Sequence, residues 1–264
     1  MAAATKPLLL RPRWLAGHLL ALVLVVLFLA LGTWQLRRLD ARTARNELVT
    51  SRAAASPVDL ATALREFAAT GVFPEYMAVK VSGRFAAEGE VLLRGRSLEG
   101  QPGFNLVTPL VLDDPDPSLG GNAVLVERGW VPYDHDIVPV TDAAPPAGTV
   151  EIVGRLRPPT SAPPTGLAPR DPADGTLVQT YYVDTVRLQQ QLPYPLVAAY
   201  LTVTEMVPPH TGALPRPLPA DDLTAGPHLG YAIQWFAFAL VGVVGYAILL
   251  RKVTRDGAGR SNQR

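Results

Sequence analysis

Two stretches of this chain run for about twenty residues without a formal charge, long enough to cross about 30 Å of hydrocarbon as helices. The first, Trp14 to Trp34, reads WLAGHLLALVLVVLFLALGTW, and the second, Tyr231 to Leu250, reads YAIQWFAFALVGVVGYAILL. Lys6, Arg11 and Arg13 precede the first, as they would a cleaved signal peptide. Its apolar core is too long for one, and no small-x-small cleavage site precedes WQLRRLD, so an uncleaved anchor is expected. Arg251, Lys252, Arg255, Arg260 and Arg264 follow the second stretch. Two spans put both basic termini on one side, and the positive-inside bias makes that side the cytoplasm. Arg37, Arg38, Arg42 and Arg45 oppose this, yet an intervening segment of about 190 residues translocates largely regardless of charge. The expected division is a cytoplasmic tail (1–13), a transmembrane helix (14–36), an extracytoplasmic domain (37–227), a second transmembrane helix (228–250) and a cytoplasmic tail (251–264). Abundant alanine and proline fit a high-GC bacterium, hence its plasma membrane.

Between the spans the signal is mostly β. YMAVKVSGRF (76–85), EVLLRGR (90–96), GFNLVTPLVL (103–112), NAVLVERGWV (122–131), TVEIVGRLR (149–157), LVQTYYV (177–183) and LVAAYLTVTEM (196–206) are short Val- and aromatic-rich runs bounded by Gly, Pro and Asp. Such runs predict antiparallel strands. PVDLATALREF predicts a short helix with Pro57 near its start, and DTVRLQQQL a second with Asp184 as N-cap. VSGRF (81–85) and IVGRL (152–156) echo each other, and a glycine inside a strand marks a bulge or close backbone approach. Three proline-rich stretches, 139–148, 158–175 and 207–222, read as exposed connectors. The predicted class is therefore membrane α+β: two transmembrane helices flank an extracytoplasmic, mainly antiparallel β domain with one or two short helices.

Composition excludes several chemistries. There is no cysteine among 264 residues, hence no disulfide, thiolate nucleophile or covalent C-x-x-C-H haem attachment. A net charge near zero, with no basic stripe, gives no footprint for nucleic acid. No G-x-S-x-G or H-E-x-x-H motif is present, and His135 and His210 sit in loop-like sequence. DDPDPSLGGN (113–122) is acidic but lacks EF-hand spacing and reads as a solvated hairpin turn. No catalytic residues are expected, and a membrane hydrolase is disfavoured by the missing nucleophile–base pair. VERGWV sets Arg128, Gly129 and Trp130 at a strand end, read as a packing corner in preference to a docking surface.

The remaining polar groups gather at one membrane boundary. In an antiparallel helix pair the end of the first span, Thr33, Trp34, Gln35, Arg37 and Arg38, meets the start of the second, His228, Tyr231, Gln234 and Trp235. Helical spacing puts His228, Tyr231 and Trp235 on one face. Interface aromatics, arginines meeting lipid phosphates and glutamines bonding across helices account for much of this. They account poorly for His228, held between a turn and an apolar span. His18 lies about 24 Å along the helix from Trp34, so it shares no metal with His228. It either snorkels at the inner interface or packs on the other helix.

The stretches LGTWQLRR (31–38), EYMAVKVSGRF (75–85), PGFNLVTPLVL (102–112) with VLVERGWVP (124–132), VEIVGRLR (150–157) and HLGYAIQWF (228–236), in this order, resemble the Surf1 family of cytochrome oxidase assembly proteins. The resemblance covers nearly the whole chain. It implies a non-catalytic assembly factor for a haem-copper terminal oxidase that delivers or positions haem a. The implied partners are the catalytic subunit of cytochrome c oxidase, haem a synthase and the lipid bilayer. In bacterial members the histidine heading the second span is implicated as a haem a ligand, and His228 holds that position. The implied transient haem a site comprises His228 as axial ligand to the iron, with Tyr231, Gln234, Trp235, Trp34, Gln35, Arg37 and Arg38 around it. Arg37 or Arg38 would pair with propionates, and Trp34 and Trp235 would pack on the porphyrin or anchor the helices. Pro227 departs from the family, whose members often carry Asn or an acidic residue there. Proline is well tolerated at a helix start. The competing reading is a membrane-anchored β scaffold that binds partners without a cofactor.

Overall fold

The computed structural model describes residues 11–163 and 168–261. Lys6, Arg264 and the side chain of Arg260 lie outside the described residues, as do positions 164–167 of the proline-rich loop. The described elements include four α-helices, α1 (Pro12–Ala53), α2 (Leu60–Thr70), α3 (Thr185–Gln189) and α4 (His228–Ser261), three short 3-10 turns and eight strands. The strands are β1 (Val58–Asp59), β2 (Ala78–Phe85), β3 (Val91–Leu98), β4 (Gln101–Leu112), β5 (Ala123–Pro132), β6 (Val150–Arg157), β7 (Gln179–Thr180) and β8 (Leu196–Val207). They fall into two compact units: residues up to Glu47 with those from Leu223 onward, and Leu48–Asp222.

The first unit is a helix pair. Both helices are long and apolar enough to cross a membrane, and little of either apolar stretch is buried in protein. α1 continues well past residue 36 to Ala53. From Arg37 on, the sequence is rich in Arg, Leu and Ala, with no Gly or Pro before Pro57, and nothing stops a helix there. The pair is antiparallel. Gly32 makes the close approach possible, because a Cβ there would stand 2.6 Å from the Phe236 ring. Ala232 and Ala239 are buried along the same seam, as small residues are where helices touch without a solvent-driven incentive.

The second unit is built on one mixed sheet in the order β1-β2-β6-β8-β5-β4-β3-β7, with an additional β2–β4 pairing. That pairing closes β2, β6, β8, β5 and β4 into a ring. It is possible because β4 is long: its second edge pairs with β3 from Gln101 to Val107 and with β2 from Leu110 to Leu112. Gly83 sits at the closure, where a Cβ would come within 2.3 Å of the Val111 carbonyl oxygen. Its echo, Gly154, lies at a register shift and would put a Cβ 3.0 Å from the Thr202 carbonyl oxygen. Both glycines thus mark close backbone approach.

Apolar side chains from the ring strands, among them Val79, Leu110, Val126, Ile152 and Leu201, form one buried cluster, which Leu60 and Ala63 of α2 join. Each valine, leucine and isoleucine here contributes about 1.5–3 kcal/mol by leaving water. A second cluster outside it joins Leu188 of α3 to Leu93 and Leu125. β5 is therefore covered on both faces, which is why it reads as a continuous apolar run.

The mainly antiparallel class is as expected, and some details differ. The pairing is mainly antiparallel but not wholly so: β1–β2, β3–β7 and β5–β8 are parallel, a choice that strand-like sequence does not encode. The strand expected over 177–183 shortens to Gln179–Thr180. There the Asp171 carboxylate accepts from the Tyr181 N–H at 2.9 Å, and Thr180 Oγ1 donates to the Asp171 carboxylate at 2.7 Å, so side chains replace the ladder. The first helix of the domain starts at Leu60, after Pro57, and ends on Gly71 in the left-handed conformation. The cap on α3 is as expected, with Asp184 accepting from the backbone N–H groups of Val186 and Arg187.

Candidate functional site

In the helix pair, His228 is the first residue of α4, preceded by the turn Ala225–Pro227. Its Nδ1 lies 2.9 Å from Gln35 Oε1 on α1. An amide oxygen only accepts, so the imidazole donates through Nδ1–H, which leaves Nε2 as the nitrogen not engaged with Gln35. Gly226 has φ +72°, and a Cβ there would stand 3.5 Å from Nε2. A glycine at this turn therefore leaves Nε2 uncovered. Seven positions further along α4 and seven back along α1, Trp235 stacks on Phe28 with centroids 5.8 Å apart. His228 and Trp235 are half-buried on this seam, while Tyr231 and Gln234 are exposed. On α1, Gln35 is half-buried, and Trp34, Arg37 and Arg38 are exposed.

Of the eight residues predicted, the fold thus joins His228 to Gln35 and sets Trp235 into the helix contact. The cross-helix bond open to the two glutamines is not the one found: Gln35 bonds to His228, and Gln234 is exposed. Phe28 escaped the sequence reading, as did Asn46, whose Nδ2 donates to the Leu223 carbonyl at 2.6 Å. Arg42 Nε likewise donates to the Thr224 carbonyl at 3.0 Å. A register count from the His228–Gln35 bond reaches Phe28 and Trp235, whereas Leu223 and Thr224 lie in irregular chain before α4. At the other end of the pair the His18 imidazole and the Tyr246 hydroxyl are hydrogen-bonded, so His18 packs on the other helix. The two cross-helix bonds are separated by 17 to 18 residues, about 26 Å of helix, close to a hydrocarbon thickness.

In the β unit, the VERGW corner is a buried clasp. Arg128 donates to Glu90 Oε2 at 2.6 Å, to Thr108 Oγ1 at 2.8 Å and to the Ala143 carbonyl at 2.9 Å. Glu90 Oε1 accepts from the Val140 N–H at 2.9 Å, tying the 133–149 connection to the ring. Burial pushes the Arg128 guanidinium below its ordinary pKa against the pull of Glu90. A second clasp holds the tether that leads to Leu223: Asp221 is paired with Arg155, and with Arg157 at 2.9 Å. Burial acts to raise the Asp221 pKa, but the bond and charge of Arg157, then Arg155, outweigh it and hold the carboxyl below its usual range. The acidic loop is a capped turn, in which Asp116 accepts from the Ser118 N–H at 2.8 Å. Bonds from Ser118, then the charge of Arg65, keep Asp116 below the ordinary carboxylate value. Among the described residues no cluster of three His, Cys, Asp or Glu is placed to hold a metal ion.

Comparison with known proteins bears on this arrangement. The SURF1 family model matches residues 22–240, a span that includes Phe28, Gln35, His228 and Trp235. A SURF1-like protein of Mycobacterium bovis, itself uncharacterized, is 34% identical over 95% of this chain and 90% of its own length. A SURF1-like protein of Rickettsia felis is 26% identical over 89% of this chain and 97% of its own length. The cytochrome oxidase assembly protein SHY1 of Saccharomyces cerevisiae is 28% identical over 54% of this chain and 36% of its own length. The match extends through the ring of strands and into both long helices, and the chain belongs to the SURF1 family.

Proposed function

We propose that this chain assists the assembly of a haem-copper terminal oxidase, holding haem a as cargo at the outer end of its helix pair for the catalytic subunit of cytochrome c oxidase. In this reading both long helices span the plasma membrane, the termini are cytoplasmic and the β unit lies outside. Family membership and the relative named as an oxidase assembly protein support the oxidase role. The observation that carries the haem reading is the 2.9 Å bond from His228 to Gln35. It orients the imidazole through Nδ1, as an outer hydrogen-bond acceptor does for a metal-ligating histidine, and turns Nε2 away from the bond as the candidate ligand atom for haem iron. The glycine beside Nε2 leaves room for a flat macrocycle to approach. Arg37 and Arg38, exposed next to Gln35, suit propionates as bidentate donors, and the positive end of α4 favours the same anions. Trp34 and Tyr231 offer exposed aromatic surface, whereas Trp235 already faces Phe28. Ligation by side chain alone, in a chain without cysteine, leaves the cargo removable.

The test is the optical spectrum of full-length protein purified from cells that make haem a. Wild type carries the pigment and His228→Ala does not; an unchanged spectrum in the variant ends the ligand assignment. A cofactor-free scaffold is the second reading, supported by the fact that the same bond also works as a clip between helices. A colourless wild type that still co-purifies with the oxidase catalytic subunit, or with haem a synthase, decides for the scaffold.

A further inference from the structure

The buried carboxylates of the β unit are not treated alike. Glu90 meets Arg128, and Asp221 meets two arginines. Glu127 is 8% exposed, yet among the described residues it forms no ion pair. Its oxygens accept only from neutral groups, Asn105 Nδ2 at 2.8 Å and Thr202 Oγ1 at 2.9 Å. An ionised carboxylate has about four lone-pair sites, so half remain open. A buried charge without a counter-ion is costly, and folded proteins almost always pair it. Burial and then Glu127 push the neighbouring Tyr200 hydroxyl up to about 12, against the opposing pull of Arg157 and Arg96.

Glu127 borders a cavity of about 240 Å³ on the outer face of the ring, open to solvent and walled by Arg96, Leu98, Asn105, Trp130 and Leu218. Trp130 brings a second unmet group, a buried indole N–H with no acceptor. Arg157 also lines the cavity but is spent on Asp221 and on the Tyr76 ring, 4.2 Å from its centroid. The two stretches that best carry the family resemblance, GFNLVTPLVL and VLVERGWVP, thus supply the unpaired acid, its amide support and the aromatic wall.

We propose that this cavity is a socket for an arginine side chain presented by a partner protein. The guanidinium fork matches the two open lone pairs of a carboxylate. Leu98 and Leu218 suit the methylene stem. A bare metal ion fits less well, since one carboxylate and neutral oxygens make a poor donor set. The socket lies wholly within the β unit and is independent of haem.

The probe is N-acetyl-L-arginine amide, titrated into full-length protein in detergent and followed by calorimetry. N-acetyl-L-citrulline amide, which has the same shape without the charge, is the control. The arginine derivative binds and citrulline binds at least about tenfold more weakly, because a buried pair loses its charge. Glu127→Gln, checked by circular dichroism for an intact fold, abolishes the difference between the two probes. Arg96→Ala separates the one intramolecular competitor: binding stays or tightens when it is removed. Equal binding of arginine and citrulline, no effect of Glu127→Gln, or binding that appears only in Arg96→Ala overturns the proposal. The last of these would make Arg96 the natural occupant.

Discussion

His228 and Gln35 stand 193 positions apart in sequence and 2.9 Å apart in space, and the acceptor on one decides which nitrogen of the other is engaged. Removing an outer partner of this kind weakens metal binding about 10–100-fold. Gln35→Leu is therefore expected to lose haem a to a competing apo-haemoprotein faster than wild type, while Gln35→Glu, which keeps the acceptor, holds it. Equal retention in all three, read from the absorbance of the separated proteins, would remove Gln35 from the site. In the β unit the corresponding residue-scale prediction concerns Glu90. Glu90→Ala leaves the Arg128 guanidinium buried and unpaired and is expected to destabilise the unit by about 3–5 kcal/mol. Urea unfolding followed by tryptophan fluorescence measures it. Individual residues were legible in sequence where chemistry is local. Asp184 announces its helix, and Gly83 its close approach, because cap and kink depend on near neighbours. Gln35 as the partner of His228, and Glu127 as an acid without a counter-ion, were not legible. The first depends on helix rotation and the second on which strands lie side by side.

Elements tell a similar story. The apolar stretches were plain because few sequences of that length carry no charge. The continuation of α1 to Ala53 was missed because the arginines after Leu36 were read as the start of a domain, although they are good helix formers. Most strands were placed to within two residues, yet their partners were not, since parallel and antiparallel strands share one alternation. The closing contact of the ring is testable at this scale. Gly83→Val drives a side chain into the Val111 carbonyl, which a Cβ would already meet at 2.3 Å. Overpacking of this kind costs about 1–3 kcal/mol, again read by urea unfolding. The tether gives a pH prediction. The Asp221 carboxyl is held below its usual range, so folding removes protons from it. Its stabilisation is complete above the unfolded value of about 4 and is lost as pH falls through the depressed folded value. The melting temperature of wild type is thus expected to drop on acidification below about pH 4 more steeply than that of Asp221→Asn. Parallel curves would mean that the clasp contributes nothing.

For the molecule as a whole, the absence of cysteine makes topology simple to map, because any thiol introduced is the only one present. Asp114→Cys in the acidic turn is expected to react with a membrane-impermeant maleimide in intact cells, and Thr254→Cys near the end of α4 only after permeabilisation. The reverse pattern would put the β unit in the cytosol and end the proposed delivery of haem a from the outer side. The closed ring carries a further consequence for whatever meets this unit. Among the described residues its free edges include the two-residue strands β1 and β7, the last part of β3, which bulges between Leu93 and Arg96 and bears Arg94 and Arg96, and the end of β8 beyond Thr202, where pairing with β5 stops. Short, kinked, charged borders of this sort refuse an incoming strand. At such borders a visiting subunit is identified by what its side chains present and not by strand addition.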